Sequence, residues 1–393
     1  MKLLHTADWH VGRTIRGRSR TDEHRAVLAE IAGIAATEEV DAVLVVGDLF
    51  DTATPTAETE QIVFRALLDL AATGAAVIVL AGNHDSDRRI QAVQPLLELG
   101  RVITRPVFVR PDDGGVTEVV SRNGGETAKI AAIPFLSQRY VVRAGDLMDH
   151  DAGEHGEQYD ARVRRLIEQL TSGFGADTVN FVAAHLMVGG GRLGGGERMA
   201  HTIFDYEVGA AGFPATAHYV ALGHLHRRQQ IPGPCPIHYS GSPLPLDFGE
   251  TGEIKAVVIV EAHPGSPAAV RDVALSSGRR LRTLAGTPEE LSALVGTTGD
   301  DHLRLVVRSA PRIGLADGLR DQFPNCVDVI VERPDGDGAG TPVRPSRAGR
   351  APGELFEQYL TEAQGQADPA LIGLFAELLE DELATEGDAS HPA

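Results

Sequence analysis

Ala42-Val43-Leu44-Val45-Val46-Gly47-Asp48-Leu49-Phe50-Asp51 is the stretch from which the rest of the chain can be read. Five consecutive apolar residues make a strand buried on both faces, Gly47 ends it, and the Asp48 carboxylate is delivered beyond the end. The same design recurs four times. Lys2 to Thr6 delivers Asp8 and His10, Val77 to Ala81 delivers Asn83, His84 and Asp85, Asn180 to Ala184 delivers His185, and Tyr219 to Leu222 delivers His224 and His226. Open α/β sheets bind ligands outside the carboxyl ends of their strands, so these groups are expected to converge.

Helical patterns lie between the strands. Thr21 is expected to cap a helix with Asp22 and Glu23 in its first turn and Val27, Leu28, Ile31 and Ile34 on its inner stripe. A second helix is expected from Thr56 to Gly74, packing Ile62, Phe64, Leu67, Leu68 and Leu70, and a third over 87–99 with Pro95 inside it. Asn123-Gly124 marks a hairpin, and Ala161 to Leu170 a further helix. Strands near 237–240 and 255–261 close a first domain, 1–265. From about Val270 the pattern becomes strand, helix, strand, helix, strand, a small α+β domain over 270–333, in which Thr287-Pro288-Glu289-Glu290 is a capping box. Residues 334–352, rich in Pro, Gly and Arg, read as a linker, and 353–385 as two amphipathic helices.

Composition bounds the function. The 393 residues carry a net charge of −19, which argues against nucleic-acid binding by bulk electrostatics. The charge is uneven: residues 353–393 hold ten acids and no Lys or Arg, whereas Arg13, Arg16, Arg18, Arg20 and Arg25 follow His10 closely. The opening apolar run is too short for a signal peptide, no stretch approaches membrane-spanning length, and Cys235 and Cys326 are too few for a disulfide framework, so a cytoplasmic protein is expected.

Asp8, His10, Asp48, Asn83, His185, His224 and His226 are oxygen and imidazole donors with no thiolate, enough for two metal ions if one carboxylate bridges. Any one of them alone reads more simply as a cap or turn former. Seven together, in D-x-H, G-D-x-x-D, G-N-H-D, a lone H and G-H-x-H, do not. Gly189-x-Gly191-x-x-Gly194 fits a dinucleotide fingerprint, but no helix pattern opens behind it and a loop is the better reading; with no G-x-x-x-x-G-K-[ST] either, no nucleotide is expected on this chain.

These motifs, in this order, resemble those of the calcineurin-like metallophosphoesterases. Leu4-His5-Thr6-Ala7-Asp8-Trp9-His10, Ala221-Leu222-Gly223-His224-Leu225-His226 and Ser240-Gly241-Ser242-Pro243-Leu244-Pro245 make the chain similar to the nuclease subunits of bacterial SbcCD complexes. The resemblance implies a four-layer αββα sandwich with a small capping domain and a C-terminal helical hairpin. It implies one ion on Asp8, His10 and His226, a second on Asn83, His185 and His224, Asp48 between them, and manganese as the usual metal. His84 is then left to face the scissile phosphate, where it can protonate the leaving oxygen; the alternative is that it only shapes its turn. Asp51 stands where some relatives carry a second catalytic His, and can orient His84 or cap its loop. The arginines Arg13, Arg16, Arg18 and Arg20 are candidates for DNA phosphates, a solvated loop being the alternative. The resemblance further implies DNA as substrate, a two-fold dimer through the helices at 57–73 and 87–99 within a heterotetramer, and an SbcC-type ATPase bound by the tail. There Leu355, Phe356, Tyr359, Leu371, Phe375 and Leu378 make the apolar faces. A phosphatase of the same superfamily and a structural DNA-end tether are the rival readings.

Overall fold

A computed structural model describes residues 1–137, 152–194 and 207–333, together with Leu371 and Phe375. Four parallel strands, β1 (Lys2–Thr6), β2 (Ala42–Val46), β3 (Ala76–Leu80) and β4 (Val102–Arg105), form one half of the core. Their crossovers are α1 (Thr21–Thr37), α2 (Ala57–Ala72) and α3 (Asp87–Leu99). The other half is built on β5 (Val116–Val120), β6 (Thr127–Ile133), α4 (Ala152–Thr171), β7 (Val179–His185), the short pair β8 (Met187–Val188) and β9 (Glu207–Val208), β10 (Tyr219–Gly223), β11 (Gln229–Ile231) and β12 (Ile237–Tyr239). The chain then returns to the first sheet as β13 (Ala256–Glu261), antiparallel to β1, and β14 (Ala269–Ala274), antiparallel to β13. The two six-stranded sheets run β14-β13-β1-β2-β3-β4 and β11-β12-β10-β7-β6-β5.

Period-two alternation sorts the strands into layers. Val43 and Val45 face the three helices, packing on Val27, Ile31, Val63 and Leu67. Leu44 and Val46 point the other way, against Phe181, Ala183 and Tyr219 of the second sheet. Val182 and Val220 on that sheet's far side meet Tyr159, Val163 and Ile167 of α4. The central strands of both sheets are thus buried on both faces, which is why β2, β3 and β10 read as unbroken apolar runs.

Three expectations need correction. Arg20, not Thr21, occupies the N-cap of α1, and Thr21 is its first helical residue, its hydroxyl taken by Ser19 at 2.9 Å. Leu68 is 41% exposed, lying off the buried stripe of α2. The strand starting near Val270 belongs to the large sheet as β14, so the small domain begins at β15 (Leu281–Gly286). A single antiparallel partner, β13, decides this, and no local pattern reveals it. Thr56 caps α2 and the Thr287 capping box forms as expected.

The small domain is a parallel sheet β15-β16-β17, with β16 (His302–Arg308) and β17 (Cys326–Glu332), covered by α5 (Pro288–Ser292) and α6 (Leu315–Gln322) over Leu291, Leu303, Leu305 and Leu319. A buried polar junction ties it to α1. Glu23 accepts from Arg20 at 2.8 Å and from the Arg279 amide at 2.8 Å, and lies 2.8 Å from His302 Nε2. Beside it Ile15, Phe248 and Leu281 form an apolar contact with Val327. Residues 335–393 are a separate unit in which only Leu371 and Phe375 are described, both helical; Leu355, Phe356, Tyr359 and Leu378, the 334–352 linker and the expected hairpin lie outside the described residues. Among the described residues no helix is long and apolar enough to cross a membrane.

Glu23→Ala should destabilise the protein by about 3–5 kcal/mol, because it leaves the buried Arg20 guanidinium without its carboxylate. Chemical denaturation checks this; a loss below about 1 kcal/mol would show that Arg20 finds another partner.

Candidate metal centre

All seven sequence-predicted ligands end on one rim where the two sheets meet. Asp8 and His10 follow β1, Asp48 follows β2, Asn83 follows β3, His185 ends β7, and His224 and His226 follow β10. The loops after β1 and β2 are zipped together: the Asp8 amide donates to the Gly47 carbonyl and the His10 amide to the Asp48 carbonyl, both at 3.0 Å. The backbone here is forced. Asp8, His10, Asp48 and His224 have φ of 53°, 45°, 50° and 104°, left-handed values that cost non-glycine residues about 1–3 kcal/mol each. The motif glycines permit the crowding. A Cβ on Gly47 would strike the His185 ring, and one on Gly82 the Asp48 carboxylate.

Asp48 is central. Its Oδ2 lies 3.5 Å from His10 Nε2 and 3.6 Å from His185 Nε2, while Oδ1 accepts the His84 amide at 2.8 Å. Asn83 Oδ1 is 3.1 Å from His185 Nε2 and 2.9 Å from His224 Nδ1. His10 Nε2 and His226 Nε2 face each other at 3.0 Å. Asp8 Oδ1 accepts the His224 amide at 2.9 Å, and its Oδ2 is buried without a hydrogen-bond partner. A buried carboxylate oxygen left unpaired beside converging imidazole nitrogens is costly unless a cation completes it. Ligand atoms of Asp8, His10 and His226, and of Asp8, Asp48 and His185, each lie within 4.8 Å of one another. Oxygen and imidazole donors in this arrangement fit divalent ions of the manganese or zinc type.

Comparison with known proteins agrees. A calcineurin-like phosphoesterase domain matches residues 1–228. The chain is 36% identical over 345 residues to SbcD, the D component of the SbcCD nuclease, of Bacillus subtilis, covering 84% of this chain and 85% of that protein. Its identity to the protein of the same name is 34% in Rhodobacter capsulatus, over 75% of each chain, and 30% in Escherichia coli K12, over 75% of this chain and 73% of the relative. The chain belongs to the SbcD family of calcineurin-like phosphoesterases. It is therefore a metal-dependent phosphodiesterase with a candidate site for two divalent ions.

Family membership gives the residual contacts a context. His84 Nδ1 lies 2.8 Å from the Asp51 backbone carbonyl, so Nδ1 carries the hydrogen and Nε2 bears the ring's lone pair. A ligand atom of His84 also lies within 4.8 Å of those of His10 and Asp48, so its position allows ligation as well as proton transfer. The Asp51 carboxylate does something else: it is 3.6 Å from His10 Nδ1 and accepts from Arg13 at 3.2 Å. Asp51 thus orients His84 with its carbonyl, not its side chain. Asp85, to which the sequence assigned no role, accepts from the amides of Gly82, Leu49 and Phe50 at 2.9, 3.2 and 3.0 Å, locking the β2 and β3 loops together. Its three-residue spacing from Gly82 is a side-chain-to-backbone turn signal.

One arginine of the loop, Arg20, departs from expectation. Arg20 is buried against Glu23 and is unavailable to DNA phosphate. Arg16 pairs with Asp328 at 3.1 Å, Arg18 donates to the Pro324 carbonyl at 2.8 Å, and Arg25 pairs with Asp22 and Glu58. Each is engaged within the protein, Arg16 and Arg18 by the small domain. The Gly189 to Gly194 loop opens no helix among the described residues.

Without ions the centre is held by protons. Burial opposes charge on Asp48, yet the His185, His10 and His84 imidazoles keep it well below the usual carboxylate range. Burial pushes Asp8 up, and the Asp48 charge adds to it. Burial works against His185 too, but Asp48 and Asp8 outweigh it and raise the imidazole to about 9. Below about pH 9 the ion-free His185 is therefore protonated, and a cation must displace that proton. Divalent-metal affinity should rise with pH up to about 9, and calorimetry at about pH 7.5 in buffers of differing ionisation enthalpy should find net proton release. Affinity that is flat from neutral pH to about 9 would contradict the assigned protonation.

Proposed function

We propose that this chain is the nuclease subunit of an SbcCD-like complex, using two manganese ions to cut duplex DNA from its ends and single strands or hairpins internally. The observation that carries the reading is the convergence of seven donors, six of them buried and Asn83 half-buried, on one rim around Asp48, in a chain whose relatives are named nuclease subunits. In this reading Asp8, His10 and His226 hold one ion, Asn83, His185 and His224 the other, and Asp48 is shared. Two such ions would supply an activated water and stabilise the attacking and leaving oxygens. The chain's own contribution is orientation and a proton. His84, tethered by the Asp51 carbonyl, is placed to protonate the leaving oxygen. A phosphatase would share the donors; the fused small domain and the tail favour a polymer substrate.

The assembly follows from surface chemistry. Leu68 on α2 and Leu96 and Leu99 on α3 are 41%, 68% and 84% exposed, and a Cβ on Gly100 would strike Leu68, so these helix ends adjoin. We read this patch as a dimer face. The tail's apolar positions, with its ten acids, suit an SbcC-type ATPase that offers a basic groove.

Asp48→Ala should lose manganese binding and DNA degradation together, whereas His84→Ala should keep the metal and lose about two to four powers of ten in turnover. Calorimetry beside assays on linear, hairpin and single-stranded DNA checks this. Unchanged manganese binding by the Asp48 variant would overturn the site, and intact DNA cleavage by it would leave the tether reading.

Removing residues 353–393 should abolish binding of the ATPase while leaving a dimer in light scattering and manganese-dependent cleavage of single strands. Full co-purification with the ATPase, or a strictly monomeric mass for the intact chain at micromolar concentration, would defeat the corresponding assignment.

A further inference from the structure

His10 and His226, whose Nε2 atoms face each other, are backed alike. Asp51 Oδ1 lies 3.6 Å from His10 Nδ1, and Glu250 Oε1 lies 3.9 Å from His226 Nδ1. Glu250 is 1% exposed and its Oε1 has no hydrogen-bond partner. Its other oxygen is taken by Lys255 and, at 3.3 Å, by the Leu246 amide. Lys255 is buried as well, and donates to the His226 carbonyl at 3.0 Å and to Ser242 Oγ at 3.1 Å. The Ser242 amide reaches the same His226 carbonyl at 3.1 Å. The Ser240-Gly241-Ser242-Pro243 motif and a buried ion pair therefore converge on one candidate ligand. A buried ion pair seldom stabilises a fold better than apolar residues of its size, so its presence behind His226 asks for another role. The second ion's His185 has no such backing: its Nδ1 lies 2.9 Å from the neutral Val46 carbonyl.

We infer that Glu250, held by Lys255, is the positioning carboxylate of His226, that Asp51 is that of His10, and that the Asp8–His10–His226 site is the tighter of the two. The inference rests on the metal assignment proposed above. A carboxylate facing Nδ1 keeps the hydrogen on that nitrogen, turns the Nε2 lone pair inward, and makes the imidazole a stronger donor. The 3.6 and 3.9 Å separations exceed a hydrogen bond, so each carboxylate acts on its ring through its charge.

The test is Glu250→Gln and, separately, Asp51→Asn in the full chain. Each keeps side-chain volume and removes the charge. Manganese titration by calorimetry should resolve two equivalents in the wild type. Each variant should weaken the same equivalent by about 10- to 100-fold and leave the other unchanged. Asp51→Asn should keep the metal-free melting temperature near that of the wild type, whereas Glu250→Gln, which leaves the buried Lys255 without its carboxylate, should lower it. Wild-type binding by both variants, weakening of different equivalents, or a loss spread over both equivalents that tracks a fall in metal-free melting temperature would overturn the inference. If Glu250→Gln does not fold, Asp51→Asn decides: the tighter equivalent must be the one it weakens. Asp48→Ala separates the two levels. Its loss of manganese beside unaffected Glu250 and Asp51 variants sinks the positioning carboxylates alone, whereas its retention of manganese sinks the metal centre itself.

Discussion

A single carboxylate must be reachable from two sheets at once, and the rest of the molecule is shaped by that requirement. Asp48 belongs to a first-sheet strand, His185 to the second sheet, and their side chains meet at 3.6 Å. The sheets can approach so closely at this rim only because Gly47 and Gly223 carry no Cβ there: one on Gly47 would strike the His185 ring, and one on Gly223 the Val46 carbonyl. Holding Asp8, His10, Asp48 and His224 in left-handed backbone is unfavourable, and the packing of Leu44, Val46, Phe181 and Tyr219 between the sheets offsets it. The strain also has a use. An αL residue just past a strand reverses the chain while its side chain continues outward, so the donors are presented before any ion arrives.

The fold was legible wherever one local rule decided it. Short apolar-rich runs, three of them ended by Gly, predicted the five ligand-bearing strands to within a residue or so, and Thr56 and Thr287 predicted helix starts, because capping depends only on the next three amides. The Thr21 cap failed locally, its hydroxyl being taken by Ser19, but the other failures depended on partners distant in sequence. The β14 segment is assigned by β13, and Arg20 is covered by the Pro245 carbonyl and by a Glu23 that is itself held by His302. A run of arginines looks the same in sequence whether its partners are phosphates or Asp328 and Pro324. The candidate ligands were legible because ligation restricts residue type. Glu250 and Lys255 were not, since outer residues need only charge and reach, and a buried Glu–Lys pair resembles a surface pair on paper.

The engaged arginines change how an acidic chain can hold DNA. With a net charge of −19 and Arg13, Arg16 and Arg20 after His10 paired with carboxylates, much of that loop's positive charge is balanced within the protein. In the proposed reading attraction for phosphate comes from the centre itself. Asp8 and Asp48 are the only carboxylates among the seven donors, so two divalent ions leave the filled site with net positive charge at the place where a phosphodiester must sit. Such a charge is short-ranged at physiological salt, within about 8 Å, and favours strands that enter the rim over duplex lying across the surface. The same loop runs from His10 through Arg13 on Asp51 to Arg16 and Arg18 on the small domain. A continuous run of contacts therefore joins the small domain to the loop that begins at His10.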